Sequence, residues 1–304
     1  MRKYALVLSL AALLSAPAAS ASLAPHALIA TRSRVITYRS HDGQIRRAWL
    51  LYPARLIHRP IPLIISPHGR GLSGRANARI WGDLPGMGDF AVINPAGQGR
   101  VLHQYSWGYP GEISDLARMV SIAQHHGIPV NRRRVYAVGG SMGGQETLLL
   151  AARYPHLLAG AIAFDPATNL RRRYVDFAAL PNGKQLQQFM RREVGGTPTT
   201  NPGGYAVRSP SSYAKQLAFS GVKLQLWWST RDRIIRDQRL ETGALAKELR
   251  RLNPHMWLRS LKGTWAHTAE MEPWGRLPDA LAWFHLLPKE YATWPHQEPI
   301  ALST

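Results

Sequence analysis

Cysteine is absent from the 304 residues. That excludes disulfide staples, thiol nucleophiles and thiolate metal sites. No H-E-x-x-H or comparable spacing of histidines and carboxylates occurs, so the pattern implies neither a metal nor a cofactor. Acidic residues are scarce: 18 stand against 38 Lys and Arg, for a net charge of +20. Lysine is scarce too, so the positive charge is almost all guanidinium. Long apolar runs are missing; the longest, Tyr4 to Leu14, is too short to span a bilayer, and no transmembrane segment is expected in the mature chain. No basic region is interleaved with aromatics, and no nucleic-acid fold signature appears, which argues against specific nucleic-acid binding.

What is present suits a folded enzyme-sized domain. Apolar residues make up 45% of the chain and include 10 Trp, enough for one large core rather than a disordered chain. The arginines are spread along the sequence except for Arg132-Arg133-Arg134 and Arg171-Arg172-Arg173. Such a surface favours weak association with polyanions or a cell surface. Heavy arginine use also follows from genome base composition, and that plainer reading is favoured.

The first residues read as an address. Arg2 and Lys3 precede the apolar run, and Ala19-Ser20-Ala21 supplies the small-x-small pattern of a signal-peptidase site. Residues 1–21 are therefore expected to be a signal peptide, with cleavage near Ala21-Ser22 and a secreted, periplasmic or cell-envelope destination for residues 22–304.

Alternation of strand and helix patterns follows. Arg34 to Arg39 and Gln44 to Tyr52 flank His41-Asp42-Gly43, a hairpin signal. The runs at Pro62 to Ser66, Phe90 to Asn94, Arg134 to Val138, Ala161 to Phe164, Val222 to Trp228 and Met256 to Leu261 suit buried parallel strands. Helical spacing occupies Glu112 to His125 and Gln145 to Tyr154, and a further helix capped by Asp237 is expected from about Gln238 to Leu252. The sum is an α/β fold with a doubly wound, mostly parallel sheet and an N-terminal antiparallel hairpin. Residues 169–220, polar and rich in Pro and Gly, break the rhythm as a short lid-like insertion over the sheet edge.

Candidate chemistry centres on Gly139-Gly140-Ser141-Met142-Gly143-Gly144. A serine on a sharp strand-to-helix turn needs neighbours without side chains, and Gly139 and Gly143 meet that need. The G-x-S-x-G pattern alone is weak, but the strand RVYAV before it and the helix QETLLLAARY after it supply the context. A phosphate cradle is the alternative, and the lysine it requires is missing. A serine hydroxyl also needs a base and a group that orients the base. His267 and Asp232 follow the last two strands, in the order this architecture demands, with Asp165 and Asp237 as less favoured acids. Backbone N–H groups of Met142 and Arg70 are the expected oxyanion donors, while His68 is expected to tie down the Pro67–Gly71 loop.

Taken together, GGSMGG, the HG-x-G loop and the Asp232/His267 order resemble the α/β-hydrolase superfamily. Residues 94–99 (NPAGQG), Trp107-Gly108 with Asp115, Arg208-Ser209-Pro210 and STRDR at 229–233 are similar to the catalytic domain of the prolyl-oligopeptidase-like (S9-type) serine hydrolases. The resemblance covers roughly Pro62 to Leu287. It implies a fold, a Ser141–His267–Asp232 triad and a small-molecule ester or short peptide as substrate. Peptidases of that family usually carry a propeller ahead of this domain, and only about forty mature residues precede PLIIS here. Arg70 also replaces a common Gly. The expected activity is therefore that of a carboxylesterase, with Trp265, Trp227 and the insertion shaping the pocket. A peptidase and a non-catalytic cationic binding protein are the alternatives.

Overall fold

The computed structural model describes residues 29–55, 59–97, 107–272 and 274–289. The expected signal peptide, residues 1–21, lies outside them. Among the described residues the order is β1 (Thr31–Arg39), β2 (Ile45–Pro53), β3 (Ile61–Ile65), α1 (Gly74–Ile80), α2 (Leu84–Gly88), β4 (Ala91–Pro95), α3 (Pro110–His125), β5 (Val130–Gly140), α4 (Met142–Arg153) and β6 (Gly160–Phe164). Then come α5 (Leu170–Phe177), α6 (Gly183–Val194), α7 (Pro202–Ala206), α8 (Ala214–Ala218), β7 (Lys223–Ser229), α9 (Thr242–Leu252), β8 (Leu258–Gly263) and α10 (Leu277–Trp283).

The strands form one sheet in the order β1-β2-β4-β3-β5-β6-β7-β8. β1 and β2 pair antiparallel, as do β2 and β4, and every later pair is parallel. Gly43, at φ 78°, closes the hairpin where Asp-Gly signals it. Alternation along β5 explains the two layers. Val135 and Ala137 join one core with residues of α3, α4, α8 and α9, whereas Tyr136 and Val138 join a second core with α10 and the α1–α2 region. With apolar side chains on both faces, the strand is stable only between helices.

The insertion after β6 has structure of its own. It is helical, and it carries a third core in which Leu170, Phe177, Met190, Val194 and Tyr205 pack with Trp107, Met142 and Ile235. Its polar composition is that of short amphipathic helices whose outer faces are solvated. It also ends earlier than residue 220: Leu217 and Ala218 of α8 belong to the main core. Asp237 likewise caps no helix, because α9 begins at Thr242 with Glu241 at its N-cap. Among the described residues no helix is long and apolar enough to cross a membrane.

Because the insertion has its own core, it should loosen separately. Met190→Ala is expected to weaken it locally by about 2–5 kcal/mol. Hydrogen exchange should then quicken across residues 170–206 while β5 and β6 keep their protection; uniform quickening would contradict a separate unit.

Candidate active site

β5 ends in a turn with almost no free space. Ser141 adopts φ 57° and ψ −121° between β5 and α4, a conformation that costs on the order of 1–3 kcal/mol for a residue with a side chain. Two backbone bonds hold it: its N–H donates to the Phe164 carbonyl at 2.9 Å, and its carbonyl accepts from Gln145 N–H at 3.0 Å. The glycines are required by contact. A Cβ on Gly139 would lie 2.5 Å from the Gly143 carbonyl, and one on Gly143 would lie 2.2 Å from the Pro67 oxygen. The Pro67–Gly71 loop thus lies directly against the turn that presents Ser141. His68 ties that loop down, its Nε2 2.7 Å from the Ala96 carbonyl and its Nδ1 2.9 Å from that of Gly69.

Asp232 and His267 meet across the ends of β7 and β8. His267 Nδ1 lies 2.7 Å from Asp232 Oδ2. The other carboxylate oxygen accepts from the N–H groups of Ile234 and Ile235 at 2.8 and 2.9 Å, and Gln238 donates to Oδ2 at 3.2 Å. Burial alone would raise the Asp232 carboxyl, but the hydrogen bond and charge of His267, the Ile235 N–H and the Gln238 amide outweigh it and hold the group below its ordinary value. Asp232 is therefore an anion, oriented on both oxygens. His267 Nε2 is buried and has no hydrogen-bond partner among the described residues. His267 and Ser141 line the same cavity, of about 420 Å³.

Asp165, the rival acid, has another task. Its carboxylate accepts from Ser229 N–H at 2.8 Å, Thr268 N–H at 2.8 Å and the Trp265 indole at 3.0 Å. It braces the loop that carries His267 and makes no hydrogen bond to the imidazole. Burial and the nearby Asp232 charge push its carboxyl up to about 6, against the pull of those donors. Asp237 is well exposed and pairs with Arg172 and Arg239 at 3.5 and 3.7 Å.

The cavity wall departs from expectation. Neither Trp227 nor Trp265 lines it. Trp227 is fully buried in the core shared with α10, 5.5 Å from Phe164, because alternation along β7 turns it to that face. Trp265 covers Gly263 and donates to Asp165, so it supports the His267 loop. The aromatic walls are Trp107 and Phe177 instead, with Leu72, Leu180, Leu186 and Ile234. Arg70 lines the cavity as well; its guanidinium donates to Glu193 at 3.0 Å and stacks on Trp107 at 5.5 Å. The Trp107 indole donates to the same Glu193. Met142 is the first residue of α4 and is buried beneath the insertion.

Arg173 belongs to the run Arg171-Arg172-Arg173, which the sequence presents as surface charge. It is buried and lines the cavity. Its helical spacing from Leu170 and Phe177, both buried, was the available signal.

The sequence pattern of the prolyl oligopeptidase family matches residues 91–259. No curated protein matches the chain in sequence. Among solved structures, an acylaminoacyl peptidase of Pyrococcus horikoshii superposes with a TM-score of 0.63 at 17% identity, over 80% of this chain and 39% of that one. Dipeptidyl peptidase 4 of Porphyromonas gingivalis gives 0.60 at 18% identity, over 79% and 33%. The chain thus spans well under half the length of these peptidases. A fungal esterase of Rhizomucor miehei gives 0.67 at 15% identity, over 87% of this chain and 85% of that one. These likenesses show the α/β-hydrolase fold.

Two outcomes test the packing of the site. Gly143→Ala should displace the Pro67 loop, lowering the melting temperature and slowing labelling of Ser141 by a fluorophosphonate; unchanged labelling would mean that the contact is not limiting. The raised Asp165 carboxyl sets a pH signature as well. Its folded value exceeds the unfolded one, so its contribution is fully present below about pH 4 and is lost as pH rises through about 6. Relative to Asp165→Asn, the wild type should lose about 3 kcal/mol of stability across that window in chemical denaturation, and a flat difference would refute it.

Proposed function

The chain belongs to the prolyl oligopeptidase family, and on that premise we propose that it is a serine hydrolase acting as a secreted carboxylesterase through Ser141, His267 and Asp232. The observation that carries the reading is the His267 imidazole: one nitrogen lies 2.7 Å from a buried carboxylate, while the other is buried and unpartnered in a ring that lines the cavity with Ser141. An imidazole so held is oriented as a base, and a serine at positive φ is presented to it.

In the proposed reaction His267 Nε2 takes the Ser141 hydroxyl proton as Oγ attacks the acyl carbonyl. Asp232 keeps the Nδ1–H tautomer and stabilises the imidazolium. The oxyanion is received by the backbone N–H groups of Met142 and Arg70. Collapse breaks the bond to the leaving alcohol, which departs with the proton from His267. His267 then takes a proton from water as the water attacks the acyl-enzyme, and gives it to Ser141 Oγ as the acyl–oxygen bond breaks and the acid leaves.

The small, largely apolar cavity and the near full-length match to a fungal esterase support the ester reading. Family membership and the peptidase likenesses favour the runner-up, a peptidase. Export rests on the N-terminal pattern of residues 1–21; N-terminal sequencing of the exported protein should begin at Ser22.

Ser141→Ala should abolish turnover and fluorophosphonate labelling in folded protein. Asp232→Asn should lower kcat on the order of 10³-fold or more, with Asp165→Asn costing less than about tenfold. Hydrolysis of an aryl ester but not its matched amide supports the esterase, the reverse supports the peptidase, and activity that survives Ser141→Ala removes both.

A further inference from the structure

Arg173 is a buried cation on the cavity wall. It is 4% exposed, on the same face of α5 as Leu170 and Phe177, and its guanidinium stacks on the Phe177 ring at 4.3 Å. Among the described residues its side chain makes no ion pair, and Nη1 is buried without a hydrogen-bond partner. Its neighbour Arg172 shows the contrast, lying 3.7 Å from Asp176 and 3.5 Å from Asp237. Burial lowers the Arg173 pKa to about 10, so the group remains cationic at neutral pH. A desolvated, unpaired charge is costly in a folded protein and is the kind of group a ligand completes.

Three carboxylates act on Arg173 from a distance, and none of them reaches ion-pair contact with it. Arg173 lines the cavity beside Ser141 and His267. Of the acids that act on it from a distance, Asp232 is held by His267 and the backbone of Ile234 and Ile235. Glu241 accepts from Thr168 and from the Asn169 N–H, and Asp176 faces Arg172. The second guanidinium on the wall, Arg70, is already bound to Glu193. Glu272, the acid on the wall, does not pair with Arg173, and burial pushes its carboxyl up.

We propose that Arg173 is a specificity residue that binds a carboxylate carried by the substrate, so that the cavity selects esters with an anionic group on the portion it encloses. This rests on the serine-hydrolase reading above. The planar fork of a guanidinium matches a carboxylate on two N–H groups. The apolar remainder of the wall, Phe177, Leu180, Leu186 and Ile234, suits an aliphatic or aromatic spacer between that carboxylate and the ester.

Two matched pairs test it in the full chain. Monoethyl adipate against ethyl heptanoate puts the charge on the acyl side; 4-acetoxybenzoate against phenyl acetate puts it on the leaving group. In one pair the wild type should favour the anionic member by about 10- to 100-fold in kcat/KM. Arg173→Met should remove that ratio, and Arg173→Lys should restore part of it. A ratio the same in wild type and Arg173→Met for both pairs overturns the proposal. Calorimetric titration of Ser141→Ala with monoethyl adipate and 4-acetoxybenzoate separates the two readings. Binding that weakens at least tenfold when Arg173→Met is added, while the wild type turns over no ester, keeps the anion site and rejects the hydrolase. Turnover of neutral esters with no anion binding does the opposite.

Discussion

The backbone at Ser141 is held where a side-chain-bearing residue rarely sits, and the neighbouring contacts leave it no alternative. The Phe164 carbonyl anchors its N–H, the first turn of α4 takes its carbonyl, and Gly139 and Gly143 lie against backbone with no room for a methyl group. One contact, Gly143 against Pro67, also fixes the distance between the serine turn and the Pro67–Gly71 loop. The strain is thus supported by β5, β6 and α4 together, and any candidate oxyanion donors inherit their positions from it.

The scarce acids are placed with the same economy. In a chain with 18 acidic and 38 basic residues, Asp165, Asp232, Glu193 and Glu241 are all buried around the site. Each has a distinct partner set: Asp232 holds His267, Asp165 holds the His267 loop, Glu193 holds Arg70 and Trp107, and Glu241 holds the start of the insertion at Thr168 and Asn169. Environment separates them. Asp232 is kept ionised by its donors, whereas Asp165 and Glu241 are pushed up, chiefly by burial.

The insertion walls the cavity over the carboxyl ends of the central strands. Its helices pack on Trp107, Met142 and Ile235, residues that flank the serine turn and the Asp232 loop. The cavity wall and the support of the serine turn therefore share one core, and Arg173 enters the cavity beside it.

Periodicity, turn residues and motif order were legible in the chain itself. The apolar runs predicted every parallel strand to within a few residues, most plainly β3, β4 and β6, which are buried throughout and have no polar position to confuse the pattern. The glycines around Ser141, and acid and histidine after successive strands, were readable because a strand's end is set by its own residues. Tertiary structure alone decided the rest. Whether Asp165 or Asp232 faces His267 depends on the path of two loops. Trp227 turned into the core because strand alternation, not proximity in sequence, assigns a side chain to core or cavity, and Trp265 folded back over Gly263 to reach Asp165. Arg171, Arg172 and Arg173 read as one run of charge, yet a helix turns each to a different side, and only the packing of α5 over the cavity buries the third.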